Sequence, residues 1–474
     1  MNLIVSFPSI VKKYADYYKS FFSAEGFTHF KKALLGMMIS DNKTLEAINR
    51  LYVIEPRNQT SFNRFFNRQN FDLEQLNQGR LEMLQQNEQT RLKTDPKQGG
   101  VLIIDNTLLK HYGKCFDNIY NQYDYVHKCY RWCHDLVTLH YNDNHTDYPV
   151  FYQLWDPPDW EAVAQFLIKK GFTINQDKWD KREQESQKWL NYIRARYRAG
   201  RKKYPDLVQI YKTKIHVAED LLRKFSQQYP QLNYPVLLDY GFTSAEFCKI
   251  ITQEFKKDYV GGLRADRRII QAGGEEKPLG DFVEQLREQH FDPTKKAVFP
   301  KVGFTYKGKK QYYYAYHANH RIKGFEKKQR LVIAYDNEEL SGSPYYMITN
   351  RLNWYPSHIL GLRRQRWPVE TYHQEGKAEG LDKYQVRNLK AIQSYIALVV
   401  ITYSILKCAI HDRDLLSSLQ QRLQTKSDGT LPFLRRLMQA ECMVLLVEYI
   451  FAKVEHGESI QQILKPLNQL IAYS

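Results

Sequence analysis

Cysteine is scarce in this chain, which also has no internal repeat, no low-complexity tract and no apolar run long enough to cross a membrane. Six cysteines are spread over 474 residues, and a chain of this length buries a sizeable core without disulfide bonds, so we expect reduced thiols. The most apolar run, residues 396–406, is interrupted by Thr402 and Ser404 and is well short of the roughly 20 residues that a membrane span needs. It predicts a buried helix. The first residues lack the pattern of a signal peptide, which indicates a cytoplasmic protein.

The cysteines give only a weak indication of a zinc site. Cys129, Cys133 and His134 form one loose cluster, with Cys115 and His127 nearby. Structural zinc sites usually combine two paired Cys/His turns, and only one is present here. Ordinary core and surface positions are therefore the favoured interpretation.

Acidic residues are outnumbered by basic ones. Lys and Arg total 69 against 52 Asp and Glu, which gives a formal charge of +17, and the chain has 35 tyrosines. A basic, aromatic-rich surface suits a polyanion, of which nucleic acid is the commonest. The densest basic segment is expected to contact DNA phosphates, although a solvated helix face has the same pattern. Its basic residues are Arg194, Arg196, Arg198, Arg201, Lys202 and Lys203.

Changes in pattern divide the chain into five regions. Residues 1–98 contain short helical patterns at 28–38, 43–51, 61–68 and 73–85, and predict a helical DNA-binding domain. Residues 99–257 predict the first part of a catalytic core, 258–357 a β-rich insertion, 358–411 the second part of the core, and 412–474 a helical carboxy-terminal region.

One helix of the amino-terminal region has side chains suited to a DNA groove. Thr60 or Ser61 can cap this helix, and its phenylalanines face inward. The outward side chains Asn63, Arg64 and Arg68 are of the types that bind base edges. A packed helix with a solvated face explains the pattern equally well, and the sequence leaves both interpretations open.

The core region combines strands and helices in a recognisable order. Three consecutive strands are predicted at 101–105, 135–141 and 147–155, followed by a long helical stretch at 159–228. A strand ending at Asp239, a helix at 244–256 and a further strand at YVGGLRA complete the unit. This order predicts an α/β layer of the ribonuclease H-like kind.

Three acidic residues fall at positions suited to metal-dependent phosphoryl transfer. Asp105 ends the apolar run VLIID, Asp239 ends YPVLLD, and Glu370 follows Pro368 in the first turn of a predicted helix. Carboxylates bind hard divalent cations, and two Mg²⁺ ions can hold the attacking and the leaving oxygen of a phosphodiester. Taken singly, an aspartate at a strand end often caps a loop, and Glu370 could belong to an exposed helix face.

Basic residues surround the third acid at regular spacing. Arg366 precedes Glu370 by four residues and Lys377 follows it by seven, on the same predicted helix face as His373. An arginine placed just ahead of the helix can bind a phosphate while the glutamate holds metal.

The pattern resembles the DDE transposases of bacterial insertion sequences, in particular the insertion-sequence-four superfamily. That group has a Tyr-x2-Arg-x3-Glu-x6-Lys signature, and Arg366, Glu370 and Lys377 match its last three positions, while Arg363 stands at the tyrosine position. The first motif usually reads Asp-Asp-Thr after a strand, and VLIIDNT has Asn106 in its second place. The segment LLDYGFTSAEF is similar to the second motif.

The resemblance implies an activity and a set of roles. It implies Mg²⁺-dependent hydrolysis at the transposon ends, with Mn²⁺ able to substitute, followed by attack of the freed 3′-hydroxyl and cut-and-paste movement through a hairpin. Asp105 would bridge both ions, and Asp239 and Glu370 would each complete one. Arg366 and Lys377 would hold double-stranded DNA, with His373 and Arg363 as further contacts. A homodimer would pair the two ends.

The resemblance also implies an aromatic side chain in the β-rich insertion that receives a flipped base. Trp354, Tyr345 and Tyr346 are the candidates, because stacking on an aromatic ring offsets the cost of unstacking a base. Packing within the β-layer is the other interpretation of each ring. Two alternatives to a transposase are a non-mobile nuclease of the same fold and a DNA-binding protein that has lost catalysis.

Overall fold

A unit of five helices precedes the first strand. The computed structural model describes residues 3–53, 59–68, 71–95, 99–124, 126–426 and 429–468. The helices are α1 (Ser9–Ala15), α2 (Ala24–Ile39), α3 (Leu45–Arg50), α4 (Gln59–Arg68) and α5 (Leu73–Gln86). The four helical patterns read from the sequence in this region are thereby confirmed, and Phe62 and Phe66 of α4 are buried as expected.

The next part of the chain alternates strands and helices. It comprises β1 (Val101–Lys110), β2 (Tyr120–Asp124), β3 (Cys129–Asn142), β4 (Asp147–Leu154), α6 (Trp160–Lys169), α7 (Gln176–Asp180), α8 (Ser186–Lys203), α9 (Lys214–Gln228), β5 (Val236–Leu238), α10 (Ala245–Gln253) and β6 (Tyr259–Leu263). The predicted strands and helices are present, with the stretch 159–228 broken into four α-helices and a 3₁₀ turn. Strand β2 is not expected from the sequence.

The region predicted to be β-rich, 258–357, begins with β6 and contains six further strands and one helix between β6 and α12. These are β7 (Arg268–Ile270), β8 (Glu276–Pro278), α11 (Leu279–Phe291), β9 (Lys301–Tyr306), β10 (Lys309–Ile322), β11 (Gln329–Tyr335) and β12 (Tyr345–Thr349). Helix α11 is an addition to the sequence-based prediction. Strand β12 pairs with β6, so these strands extend the sheet of the preceding region.

Twelve strands form one mixed sheet. Its order is β2-β3-β1-β5-β6-β12-β11-β10-β7-β8, with β4 paired to β3 and β9 paired to β10. Strands β1, β5 and β6 are parallel to one another, whereas β1, β3 and β4 are antiparallel neighbours. The structure is therefore a mixed α/β fold.

Helices follow the sheet to the end of the described chain. They are α12 (Pro356–Arg364), α13 (Trp367–Glu379), α14 (Leu389–Ile410), α15 (Arg413–Arg422), α16 (Leu431–Glu455) and α17 (Ile460–Asn468). By length and composition α14 is the one described helix that could cross a membrane, but 83% of its apolar window is buried. It packs against α2, α4 and α5, which confirms the prediction of a buried helix.

The two faces of β1 belong to different cores. Leu102 and Ile104 point into the large core that includes α9 and α14, whereas Val101 and Ile103 point into a smaller core formed with α12 and the start of α13. Because side chains alternate along a strand, Asp105 belongs to the face that carries α12 and α13. This alternation decides which helices meet the first acid.

The far end of α13 is anchored by a buried ion pair. Arg435 of α16 donates through Nε to Glu379 Oε1 at 2.7 Å and also pairs with Glu375. Burial raises the pKa of the fully buried Glu379 to about 7, although Arg435 and Lys43 act in the opposite direction. The helix that carries Glu370 is thus held at its carboxyl end by the carboxy-terminal helices.

Replacing Arg435 by Met should destabilise the fold in a pH-dependent way. Removing one partner leaves Glu379 buried without its cation, which costs about 3 kcal/mol of unfolding free energy at pH 8. Because the folded pKa of Glu379 lies above its ordinary value of 4.5, its protonated form favours folding, and that stabilisation is lost as the pH rises through about 7. The loss of unfolding free energy caused by Arg435→Met, measured by urea denaturation, should therefore be smaller at pH 5 than at pH 8.

A suitable control is Arg287→Met, which removes a pair with the exposed Glu284. Its effect should stay below about 1 kcal/mol at both pH values. Equal deficits for Arg435→Met at pH 8 and pH 5 would contradict the assignment of Glu379 as the group responsible.

Candidate active site

Three acidic residues converge at one edge of the central strands. Strands β1 and β5 are parallel, and Ile104 is paired with Leu238. Asp105 and Asp239 are the next residue on each strand, so they lie side by side. Glu370 comes from the first turn of α13, where the helix dipole stabilises a negative charge.

Arg366 joins two of the three carboxylates. Its Nη1 donates to Asp105 Oδ2 at 2.7 Å, and its Nη2 donates to Glu370 Oε1. The other Asp105 oxygen, Oδ1, accepts a hydrogen bond from the backbone N–H of Asn106 at 2.8 Å. A single guanidinium therefore bridges β1 and α13 at the point where the acids meet.

Negative charge is concentrated around Asp105. Burial raises the pKa of Asp105 to about 7, with Arg366 opposing the rise and the carboxylates of Asp239 and Glu370 adding to it. The same three acids raise the pKa of Arg366 against the effect of its burial. The three carboxylates therefore influence one another and Arg366, which places them in one acidic site.

A cavity of about 180 Å³ opens beside Asp239. Its lining includes Tyr345 and Tyr346 from β12 and the side chains of Arg363 and Arg366. The Arg363 guanidinium lies 3.6 Å from the centre of the Tyr345 ring. The arginine that replaces the signature tyrosine thus stacks on a tyrosine supplied by another element.

The remaining residues of the α13 signature lie apart from this cluster. Lys377 is partly buried, which lowers its pKa, and is influenced by Asp382, Lys110 and Asp124. His373 is 9% exposed, and burial lowers its pKa to about 3, so the ring is neutral. In this arrangement His373 offers little surface to a DNA phosphate.

The second residue of the first motif has a partner on the opposite face of β1. Asn106 Nδ2 donates to Asp135 Oδ1 at 2.7 Å, and Asp135 pairs with Lys214 at the start of α9. Asp135 is buried and was missed in the sequence. Its signal is an acid directly before the β-branched and apolar segment LVTL of β3.

The other residues expected to contact DNA lie on separate elements. On α4, Arg64 and Arg68 are exposed and Asn63 is partly buried. Trp354 packs edge-on against His358, with ring centres 4.7 Å apart, beside the smaller core. The six basic residues Arg194, Arg196, Arg198, Arg201, Lys202 and Lys203 all lie on α8.

The three carboxylates are suitable ligands for a divalent metal, but Arg366 is hydrogen-bonded to two of them. Asp105, Asp239 and Glu370 offer the oxygen ligands that Mg²⁺ prefers. Among the described residues, however, no three His, Cys, Asp or Glu side chains are close enough together to hold an ion, at this site or around Cys129 and Cys133. The donor set fits the metal, and the guanidinium of Arg366 has to leave two of the carboxylates before they can bind it.

Acids from two neighbouring parallel strands and a nearby helix are typical of metal-dependent nucleases. The chain belongs to the DDE superfamily endonucleases, whose family model matches residues 16–278. The match includes Asp105 and Asp239 and ends before Glu370. No curated protein matches the chain. Membership of the family supports a DNA-cleaving enzyme of the nuclease or transposase type.

Replacing Arg366 by Met should strengthen metal binding. Without the guanidinium, Asp105, Asp239 and Glu370 repel one another more strongly, and an added cation relieves that repulsion. We expect Mn²⁺ or Mg²⁺ to raise the melting temperature of Arg366→Met more than that of the wild type, because a ligand stabilises the state that binds it. The measurement is a thermal-shift titration without DNA, which does not depend on activity.

The matched control is Arg364→Met, because Arg364 has the same charge but stacks near Tyr306 and Trp367. Its metal-induced shift should equal that of the wild type. If Arg366→Met also shows the wild-type shift, Arg366 does not compete with metal at these carboxylates.

Proposed function

We propose that the protein is a transposase of the DDE type that binds the ends of its own insertion sequence and catalyses DNA strand cleavage and strand transfer. The observation that carries the proposal is the convergence of Asp105, Asp239 and Glu370 on one site that Arg366 neutralises. Cut-and-paste movement through a hairpin, by a homodimer on double-stranded DNA in the cytoplasm, is the form of the activity that we propose.

The strand order supports a ribonuclease H-like core around this site. Strands β1, β3 and β4 form an antiparallel set, and β5 and β6 add to β1 in parallel. Asp239 directly follows β5, and Asp105 lies beside it within β1, next to the carboxyl end of β5, where ligand sites of α/β sheets form. Helix α13 then brings the third acid across the same edge.

The proposed roles of the residues follow from their positions. Asp105, Asp239 and Glu370 would hold two Mg²⁺ ions, which supply activation of the attacking oxygen and stabilisation of the leaving one. Arg366, once released from the carboxylates, is close enough to bind the scissile phosphate. Arg363 is preoriented by Tyr345 and lines the cavity beside Asp239, where it would bind the adjacent part of the DNA backbone.

The chemistry consists of two displacements at phosphorus. In the first, a water oxygen forms a bond to the phosphorus, and the bond from phosphorus to the 3′-oxygen breaks, which frees a 3′-hydroxyl. In the second, that 3′-hydroxyl attacks the phosphodiester of the other strand and displaces its 3′-oxygen, which closes a hairpin. Asp105, Asp239 and Glu370 serve both displacements from fixed positions.

DNA recognition would involve surfaces outside the active site. Arg64 and Arg68 of α4 and the basic residues of α8 are exposed or partly exposed on elements away from the acids. Electrostatic contacts of this kind give binding that weakens steeply with salt. We propose that these helices hold the insertion-sequence ends while the acids cut.

Conservative amides at the acidic positions test the proposal. Asp105→Asn, Asp239→Asn and Glu370→Gln should each lower the rate of Mg²⁺-dependent cleavage of an end-containing duplex by about 10³-fold, equivalent to about 4 kcal/mol. Binding of the same duplex in EDTA should persist, because the lost groups are metal ligands. Gel assays of cleavage and of binding provide the two measurements.

Asp266→Asn provides the control, because Asp266 is an exposed aspartate in the turn after β6. It should cleave at the wild-type rate. A cleavage rate close to that of the wild type in any one of the three amide variants would remove that residue from the proposed triad.

A further inference from the structure

A second opening lies between α8 and the start of α6, away from the three acids. This opening, which we call the α8 groove, has a volume of about 550 Å³. Its aromatic lining includes Trp155, Trp160, Tyr197 and Tyr211. The centres of the Trp160 and Tyr211 rings are 5.4 Å apart, and those of Tyr197 and Tyr211 are 5.1 Å apart. No acidic side chain is part of the lining.

The basic residues of α8 are divided between two faces of the helix. Arg194, Arg198 and Lys202 recur every four residues and line the α8 groove. Arg196 and Lys203 point elsewhere, because Arg196 lies over Tyr192 and Lys203 over Tyr204. With Arg201, which also lines the groove, four of the six basic residues of the patch surround an aromatic opening.

Three of the four cations that line the groove lack acidic partners within the described residues. Arg201 pairs with Glu246, whereas Arg194, Arg198 and Lys202 form no ion pair within the part of the chain that the structure describes. Arg194 lies 5.9 Å from the centre of the Trp160 ring. Uncompensated cations beside one another are expected to bind an anion.

The aromatic lining restricts the kind of anion. The Trp160 Nε1 donor is buried without a hydrogen-bond partner, while Trp155 Nε1 donates to the Lys212 carbonyl at 3.0 Å. A duplex keeps its bases stacked inside and presents phosphates, so it would not use these rings. An unpaired nucleotide presents a phosphate and a free base together, and single-stranded nucleic acid is commonly bound by cations combined with aromatic rings.

We propose that the α8 groove binds an unpaired nucleotide of a DNA strand, with Arg198 and Lys202 on the phosphates and Trp160 beside the base. This inference rests on the proposed function only in taking DNA as the substrate. It assigns to the part of the basic patch that lines the groove a role in holding single-stranded DNA, such as the strand exposed when a DNA end is opened.

Removing the two exposed groove cations tests the phosphate contacts. The full chain in EDTA, where no cleavage occurs, is titrated with a fluorescein-labelled eight-nucleotide oligothymidylate, and binding is followed by anisotropy. The double variant Arg198→Gln/Lys202→Gln should bind at least about tenfold more weakly. Its plot of log K against log salt should flatten by about 1.4 units, because each phosphate contact on a single strand contributes about 0.7.

A control of equal charge is Lys327→Gln/Lys328→Gln, at exposed positions between β10 and β11. It should bind the oligonucleotide within about twofold of the wild type, because charges that make no contact are largely screened. Equal losses in both double variants would overturn the proposal in favour of undirected attraction to the basic protein surface. The proposal would also be overturned, in favour of a surface for duplex DNA, if Arg198→Gln/Lys202→Gln weakened the binding of a duplex of the same length more than the binding of the single strand.

An abasic strand tests the contact with the base. An oligonucleotide with the same phosphates and without bases should bind the wild type about tenfold more weakly than oligothymidylate, as expected for the loss of stacking on one ring. Trp160→Leu should abolish this difference while leaving abasic binding unchanged. Equal binding of the two strands by the wild type would overturn the proposal, and this comparison needs no variant that has to fold.

The proposal for the α8 groove and the proposal for the active site can be disproved independently of each other. If the groove binds no unpaired nucleotide, Mg²⁺-dependent cleavage by Asp105, Asp239 and Glu370 remains measurable on duplex ends. If the acids prove inactive, binding of the oligonucleotide in EDTA is unaffected.

Discussion

The electrostatic repulsion among three carboxylates at one edge of the sheet is the constraint on which the site depends. Asp105 and Asp239 are adjacent because β1 and β5 are parallel and in register, and Glu370 is added from α13. Repulsion within such a cluster is relieved by a proton or by a nearby cation. Arg366 supplies a cation from the residue that precedes α13, so one side chain contacts two of the acids and ties the helix to the strand. At the other end of α13, Glu379 pairs with Arg435 of α16. Ion pairs therefore hold both ends of the helix that carries Glu370.

The strands that follow β6 in the chain contribute side chains to the surroundings of the acids. Because β12 pairs with β6, the strands between the second and third acid continue the central sheet, and the tyrosines of β12 reach the cavity beside Asp239. Tyr345 there meets Arg363, which stands where the transposases that the sequence resembles have a tyrosine. An aromatic ring and a guanidinium attract each other through the ring quadrupole. Position 363 on α12 therefore has no aromatic side chain of its own. An aromatic ring lies beside it nevertheless, because the sheet brings Tyr345 of β12 next to Arg363.

Much of this arrangement follows from local patterns. Asp105 and Asp239 were found because each ends an apolar run, and α14 because its run was too short for a membrane span. Strand β2 was missed because its side chains are alternately exposed and partly buried, with little apolar content. Helix α11 was missed although Leu279, Phe282, Val283 and Leu286 repeat at helical spacing, because strand-like segments surround it. The bridging position of Arg366 depends on elements 261 residues apart, and no local pattern encodes a contact at that separation.

Asn106 follows Asp105 at the place where the transposases that the sequence resembles have a second aspartate, and the structure gives it a hydrogen-bond partner. Asn106 points to the opposite face of β1 and donates a hydrogen bond to the buried Asp135. An aspartate in its place would remove this donor and set a second carboxylate beside Asp135. Asp135 already pairs with Lys214, and a second carboxylate there would share that lysine. The amide therefore suits the position beside Asp135. Because Lys214 follows Thr213, which lines the α8 groove, this polar chain also links the groove to the strand that carries the first acid.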